Sequence, residues 1–283
     1  MPSIITQQGL LHYEVMGRGK PLIFLHGWLG SYRIWRESLR HFSKQYRCYT
    51  IDLWGFGESG EREEQSTELD RETYRVENFV DMVAEFMDRM GMDKVPLIGH
   101  SMGGTTSLRF AIKYPKRVKG VTVIGSPIDG ESLAPLLKIA GLPFFAKATF
   151  AFFPIFRWFM RVYYSKQISI DPDFPAIMDE DLRSLTLQSF LWSINDLRQV
   201  NLVEDLHKIR VPILGMYGDK DIIVDPFEWQ TLLKGTDKAK IARFPNSGHF
   251  IMLDNPERYK QELTDFLNTL YPFLPEGWKK DQR

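Results

Sequence analysis

The chain has 283 residues, 43% hydrophobic and 25% charged, a composition typical of one large globular domain or of a domain with an inserted subdomain. Lysine plus arginine and aspartate plus glutamate both number 36, so no net positive field favours nucleic acid as a partner. Because Cys48 is the only cysteine, an internal disulfide is excluded and an oxidising compartment is not indicated.

The beginning of the sequence lacks a basic segment followed by an apolar stretch, which a secretory signal would require. No uninterrupted apolar run reaches the roughly 20 residues of a membrane-spanning helix. We therefore expect a cytoplasmic protein.

Short apolar runs alternate with amphipathic segments of helical length, a pattern that predicts an α/β fold with a mostly parallel sheet and helices on both faces. In the first half of the chain, strands are predicted at residues 10–15, 22–25, 46–53, 95–98 and 118–124, and helices at residues 74–90 and 102–113. Residues 58–72 are strongly charged and have no apolar period, so they predict a solvated loop.

Between residues 127 and 210 the alternation disappears, and the segment is typical of several helices separated by prolines. Alternation then resumes, with strands at residues 212–217 and 240–244 and helices at residues 226–234 and 256–270. We predict an α/β core of residues 1–126 and 211–283, interrupted by a helical cap of residues 127–210. The tail, residues 271–283, has no strong pattern and is expected to be loosely ordered.

A serine lies on the turn between the strand at residues 95–98 and the following helix, in Gly99-His100-Ser101-Met102-Gly103. A sharp strand-to-helix turn of this kind projects the serine above the sheet, and glycines relieve crowding around it. The helix N-terminus supplies amide donors where an oxyanion forms. We predict that Ser101 is a nucleophile that forms an acyl-enzyme; the alternative is a glycine-bounded turn with an incidental serine.

A serine hydroxyl needs a base, and the chain has six histidines. His249 follows the strand at residues 240–244 and so lies at the same sheet edge as Ser101, because parallel strands present their carboxyl ends together. His26 and His100 are too close to their own strand ends to turn back onto the serine. The other three fit surface or capping roles: His12, His41 and His207. His249 is therefore the predicted base.

The third member of a triad is a carboxylate that orients the imidazole. Two candidates follow the strand at residues 212–217, in Gly218-Asp219-Lys220-Asp221. Asp221 is better placed to reach across the loop, whereas Asp219 can cap the turn. Asp254 is interpreted as the N-cap of the last helix.

Two backbone N–H groups are needed for an oxyanion hole. The N–H of Met102, directly after the nucleophile, is one candidate. The N–H of Trp28, on the glycine-containing loop after the strand at residues 22–25, is the other, although Trp28 could also be only a core aromatic. We expect no metal or organic cofactor, because the sequence has no His-Glu-x-x-His, no paired cysteines and no phosphate-binding glycine loop.

Five motifs, in this order along about residues 10–270, resemble the α/β-hydrolase superfamily. They are His26-Gly27-Trp28, Asp52-Leu53-Trp54-Gly55-Phe56-Gly57-Glu58-Ser59, Gly99-His100-Ser101-Met102-Gly103-Gly104, Gly218-Asp219-Lys220-Asp221 and Ser247-Gly248-His249-Phe250. The sequence is most similar to the capped branch with small esterases, monoacylglycerol lipases, carbon–carbon bond hydrolases, cofactor-free haloperoxidases and epoxide hydrolases. The resemblance implies that Asp221 is the triad acid and that the insertion is a helical lid.

Two departures from the family pattern narrow the range of reactions that we expect. Epoxide hydrolases and haloalkane dehalogenases carry aspartate where this chain has Ser101, and carbon–carbon bond hydrolases usually carry tryptophan where it has Phe250. We therefore expect a carboxylic ester hydrolase of the esterase or lipase type, acting on a small-molecule ester. A carbon–carbon bond hydrolase, a perhydrolase of the haloperoxidase type and a hydrolase-fold small-molecule receptor are the alternatives.

The predicted cap is rich in aromatic and basic residues. Ten of the 21 residues from Phe144 to Tyr164 are aromatic, and residues 132–170 contain five basic residues and no acidic one. One interpretation is that the aromatics pack on the core and line an apolar acyl pocket. The other is that the segment makes a peripheral contact with anionic lipid surfaces and takes up a lipid-like ester.

Overall fold

A computed structural model describes residues 2–6, 8–61 and 71–271 of the chain. The predicted tail lies outside the described residues except for Tyr271, and so does most of the charged loop predicted at residues 58–72.

A single twisted sheet organises the described part of the chain. Its strands are β1 (Ser3–Ile5), β2 (Gly9–Met16), β3 (Pro21–Leu25), β4 (Arg47–Ile51), β5 (Gly60–Glu61), β6 (Val95–His100), β7 (Val118–Ile124), β8 (Ile213–Gly218) and β9 (Ala239–Phe244). The spatial order is β1-β2-β4-β3-β6-β7-β8-β9, with β5 beside β2. The strands from β4 to β9 in this order are parallel, whereas β1, β2 and β5 pair antiparallel. The predicted α/β fold with a mostly parallel sheet is confirmed.

Both faces of the central strands are covered. Every residue of β6 and β8 is buried, as expected for continuous apolar runs in a parallel sheet. The covering helices outside residues 127–210 are α1 (Arg36–Phe42), α2 (Val76–Arg89), α3 (Met102–Lys113), α10 (Trp229–Gly235), α11 (Ile251–Asp254) and α12 (Pro256–Leu270). Helix α2 buries side chains at helical spacing, among them Phe79, Val83 and Phe86, so one stripe faces the sheet.

The elements that sequence patterns failed to predict are short or at the sheet edge. β1 and β5 have three and two residues, and α1 has seven. Such segments are too brief for an apolar period to stand out.

Residues 127–210, which the structure describes completely, form the helical insertion between β7 and β8. Its helices are α4 (Pro135–Ala140), α5 (Pro143–Ala151), α6 (Phe153–Phe159), α7 (Ser165–Ile168), α8 (Phe174–Arg183) and α9 (Leu187–Leu197), with a π-helical turn at Met160–Tyr164 between α6 and α7. Prolines occupy the first turns of α4, α5, α6 and α8, where the missing N–H costs nothing and φ is already helical.

In the part of the chain that the structure describes, no helix combines the length and the apolar character needed to cross a membrane.

Candidate active site

Ser101 occupies the turn between β6 and α3 in a strained backbone conformation, with φ +52° and ψ −122°. Positive φ is unfavourable for a residue with a Cβ. The turn is so tight that a Cβ added at Gly99 would lie 2.2 Å from the carbonyl oxygen of Gly103. The backbone N–H of Ser101 donates to the carbonyl of Ile124 on β7 (2.8 Å). The glycines therefore permit the turn, and the neighbouring strand holds it.

His249 lies on the loop after β9 and is hydrogen-bonded to Asp221 on the loop after β8. His249 Nδ1 donates to Asp221 Oδ2 at 2.7 Å. The other oxygen, Oδ1, accepts the backbone N–H groups of Ile223 (2.8 Å) and Val224 (3.1 Å). Both side chains are buried. The carboxylate therefore fixes the imidazole with its proton on Nδ1 and leaves Nε2 to accept a proton.

Asp219, the other carboxylate of the same loop, faces away from this pair. Its two oxygens accept Nε and Nη2 of Arg243 at 3.1 and 2.8 Å on the exposed surface. The structure thus brings Asp221, and not Asp219, to His249.

Ser101 and His249 line one pocket, whose wall is mostly apolar. The apolar wall comes from the core loop after β3 and from the helical insertion: Trp28, Leu29, Ile34, Leu137, Met160, Ile168, Phe174 and Met178. A pocket of this kind can bind an apolar group beside the serine.

The loop after β3 runs directly against Ser101. A Cβ added at Gly27 would lie 2.8 Å from the Cβ of Ser101, so a side chain there would collide with it. Within the described residues, the backbone N–H groups of Trp28 and Met102 donate no hydrogen bond, which leaves both available to an oxyanion. The Trp28 indole meanwhile packs on Phe190 of α9, with ring centroids 4.9 Å apart.

Two further histidines hold the loops around the site. The N–H of Leu53 donates to His26 Nε2 (2.9 Å), so His26 carries its proton on Nδ1 and donates to the carbonyl of Gly27 (2.7 Å). His100 Nε2 donates to the carbonyl of His249 (3.1 Å). Burial lowers the pKa of both rings, and the neighbouring His249 lowers that of His100 further. Both rings are therefore neutral loop supports.

The surface or capping role expected for His12 is wrong. This side chain is 2% exposed and donates from Nδ1 to Asp52 Oδ2 at 2.8 Å. Asp52 also accepts the backbone N–H groups of Tyr32 (2.6 Å) and Glu58 (2.9 Å). Burial alone would lower the pKa of His12, but its hydrogen bond to Asp52 and the charge of that carboxylate raise it. Asp52 is thus a buried hub that joins β2, the segment after β3 and its own loop after β4.

The N-cap role expected for Asp254 is also wrong, because Asn255 occupies that position without a side-chain cap. Asp254 Oδ2 instead accepts the N–H of Gly248 at 2.7 Å. Its Oδ1 accepts the hydroxyl of Ser169 (2.7 Å) and the N–H of Ile170 (2.9 Å). Asp254 therefore joins the end of α7 in the insertion to the loop that carries His249.

Two polar residues of the pocket come from the insertion and were not predicted from the sequence: Asp181 on α8 and Tyr164. Asp181 Oδ1 accepts the hydroxyl of Ser31 (2.5 Å) and Nη1 of Arg33 (3.2 Å). Burial raises the pKa of Asp181 to about 7, although Ser31 and Arg33 oppose the shift. Burial and the charge of Asp221 raise the pKa of Tyr164. The sequence alone gives no signal for either residue. Asp181, for example, stands in the acidic run Asp179-Glu180-Asp181, which is typical of a solvated face.

The aromatic residues of the insertion divide into a packed set and an exposed set. Phe150, Phe153 and Phe156 pack against one another and on Phe190. Others are exposed, including Phe144 (76%) and Trp158 (63%).

In the described ranges, no three histidine, cysteine, aspartate or glutamate side chains group together as metal ligands.

Comparison with known proteins also points to a hydrolase. Residues 20–168 match the sequence model of the alpha/beta hydrolase fold family. "Epoxide hydrolase 4" of Homo sapiens is 27% identical over 98% of this chain and 79% of its own length. "Carboxylesterase YbfK" of Bacillus subtilis is 26% identical over 93% of this chain and 86% of its own length.

A crystal structure of an epoxide hydrolase from Bacillus megaterium superimposes with a TM-score of 0.80 over 94% of this chain and 100% of that one, at 18% identity. At this identity the likeness concerns the fold alone.

Proposed function

Because this chain belongs to the α/β-hydrolase family and is a hydrolase, we propose that it cleaves carboxylic esters with an apolar acyl group through an acyl-enzyme on Ser101. The observation that carries the proposal is the position of Ser101. It stands on a strained turn and lines the same mostly apolar pocket as His249, whose Nδ1 is 2.7 Å from Asp221.

The cycle begins when His249 Nε2 removes the hydroxyl proton of Ser101 as Oγ attacks the ester carbonyl. The N–H groups of Trp28 and Met102 stabilise the oxyanion, and Asp221 stabilises the imidazolium. Collapse of the intermediate breaks the bond to the alcohol, which leaves with the proton from His249. Water then gives a proton to His249 and attacks the acyl carbon, releasing the acid and restoring Ser101.

The serine itself favours esters over epoxides. Attack of a serine oxygen on an acyl carbon forms an ester that water, activated by His249, hydrolyses. Attack on an epoxide carbon would form an ether, which water does not cleave under these conditions, and turnover would stop. The relatives named as epoxide hydrolases therefore do not decide the substrate of this chain.

Residues 127–210 serve in this proposal as a cap that covers the site, while residues 1–126 and 211–283 form the catalytic core. Met160, Ile168 and Phe174 of the cap line the pocket above Ser101. Their apolar side chains supply the affinity for the acyl group, at roughly 0.8 kcal/mol for each buried CH₂. No cofactor takes part in any step.

A panel of p-nitrophenyl esters with increasing acyl length tests the proposal. We expect kcat/KM to rise from acetate to medium chains, with an early burst of p-nitrophenol when deacylation limits the rate, and Ser101→Ala to lose activity by at least about 10³-fold. Turnover of a vinylogous diketone in place of every ester would overturn the proposal in favour of carbon–carbon bond cleavage. If the protein turns over neither the esters nor the diketone, both ester hydrolysis and carbon–carbon bond hydrolysis are contradicted.

A further inference from the structure

Most exposed apolar side chains of the described residues lie in one stretch of the cap. Of eighteen large apolar side chains that are exposed, twelve belong to residues 136–170. They form what we call the apolar cap surface: Leu136, Ile139, Leu142, Phe144, Phe145, Phe152, Ile155, Trp158, Phe159, Val162, Tyr163 and Ile170. Scattered apolar side chains are normal on a protein surface, but a concentration of this kind indicates an interaction site.

The apolar cap surface leads to the active site. Four of its members, Leu136, Ile139, Phe145 and Phe159, line a second pocket. This pocket shares five lining residues with the pocket of Ser101. The shared residues are Trp28, Leu29, Leu137, Met160 and Tyr164. A continuous apolar wall therefore connects the outside of the cap to the nucleophile.

Within the stretch of chain that carries this surface, every charged residue is basic. Residues 132–170 contain no acidic residue. Lys147 and Lys166 are exposed, and neither forms an ion pair with a carboxylate anywhere in the described part of the chain. Arg157, by contrast, is held by both oxygens of Asp179 at 2.7 and 3.0 Å. The two lysines are therefore free to face a partner.

We propose that the apolar cap surface docks on an anionic phospholipid bilayer, and that acyl chains pass from the bilayer through the second pocket to Ser101. Exposed aromatic side chains insert at the headgroup level, and Lys147 and Lys166 attract anionic lipid. A second copy of this chain fits less well, because a symmetric contact would bring the same basic residues together. Passage to Ser101 rests on the proposed esterase function; docking does not.

Docking is tested with Ser101→Ala protein, so that no turnover is needed. Full-length protein is co-sedimented with vesicles of phosphatidylcholine alone and of phosphatidylcholine mixed with phosphatidylglycerol. We expect binding to the mixed vesicles, weakened by salt because surface charges are screened. K147E/K166E should lower the partition coefficient at least about tenfold. The matched control, K94E/K116E, makes the same charge change on exposed residues that precede β6 and β7, at the opposite sheet edge, and should bind normally.

The apolar contribution is tested separately. F152S/W158S removes two exposed side chains that line neither pocket and should abolish sedimentation. The control I5S/L233S changes exposed positions outside the cap and should sediment like the parent protein. Thermal unfolding confirms that each variant is folded.

Equal binding of all variants, or no binding to mixed vesicles, would overturn the proposal. Dimerisation in solution that F152S/W158S abolishes, without vesicle binding, would assign the surface to a second copy. Failure of the esterase function is a distinct result: vesicle binding persists while soluble p-nitrophenyl esters are not cleaved.

Discussion

Asp221 uses its two oxygens for two separate tasks. One accepts Nδ1 of His249 at 2.7 Å, and the other accepts two backbone N–H groups of its own loop. The loop thereby fixes the carboxylate, and the carboxylate fixes the imidazole. An amide in this position would retain the shape of the carboxylate. Its NH₂ group, however, would face either His249 Nδ1 or the two backbone N–H groups, where an acceptor is needed.

Asp221→Asn is therefore expected to fold and to lose kcat. The amide either donates toward Nδ1, which forces the proton onto Nε2, or faces the N–H groups of Ile223 and Val224. We expect kcat to fall roughly 10⁴-fold, because the base is then in the wrong tautomer. Steady-state kinetics on a p-nitrophenyl ester measure the change.

Asp219→Asn is the matched control, two residues away on the same loop. It breaks only the exposed ion pair with Arg243, which contributes little to stability, and kcat should stay within about twofold of the wild type. Equal losses in the two variants would show that the loop, and not the Asp221 carboxylate, is what His249 needs.

At the scale of elements, the helical insertion is tied to the core at a point close to His249. Asp254 accepts donors from Ser169 and Ile170 at the end of α7 and from Gly248 beside His249. The N–H of His249 itself donates to the carbonyl of Ile168 at 3.2 Å. The position of the imidazole thus depends on the cap.

Asp254→Asn should lower kcat with a smaller effect on KM. Its amide group cannot accept all three donors, so the His249 loop shifts, and a displacement near 1 Å costs roughly ten- to a hundredfold in rate. Asp265→Asn, an exposed carboxylate paired with Gln261 on α12, provides the comparison and should leave kcat unchanged. A normal kcat for Asp254→Asn would contradict the claim that Asp254 positions the His249 loop.

A second tie between cap and core, from Asp181 on α8 to Ser31, depends on pH. Burial raises the pKa of Asp181 to about 7, so the folded protein holds this proton more tightly than the unfolded chain, whose carboxyl titrates near 3.9. Its contribution to stability is therefore complete below about pH 4 and is lost as pH rises to about 7.

Asp181→Asn removes this titration. The free energy of unfolding of the variant should rise relative to the wild type between pH 5 and pH 8, by on the order of 1–3 kcal/mol, as measured by urea denaturation. The neighbouring Arg33, Glu180, Glu58 and Asp52 remain in both proteins. A constant difference across this pH range would mean that Asp181 is already ionised when folded.

At the scale of the whole molecule, the parallel sheet explains why distant residues meet. β6, β8 and β9 all end at one edge, so residues 101, 221 and 249 converge there. The sequence predicted this convergence because it depends on local patterns: the alternation of strands and helices, which indicates a parallel sheet, and the turn motifs.

The remaining features depend on contacts that no local pattern contains. Asp254 bonds to Ser169 across 85 residues, and Asp181 bonds to Ser31 across 150. His12 bonds to Asp52 across 40 residues. The division of the cap aromatics into packed and exposed sets likewise follows from how the helices pack, and the composition alone left both interpretations open.

Covalent labelling by a fluorophosphonate, read by intact mass and by peptide mapping, tests the central claim most directly. Oγ of Ser101 should displace fluoride from phosphorus, with one label per chain on the peptide that contains residue 101. Ser101→Ala should stay unlabelled, and Asp221→Asn should label far more slowly than Asp219→Asn. A label on another residue, or no label on folded wild-type protein, would contradict the assignment of Ser101 as the nucleophile.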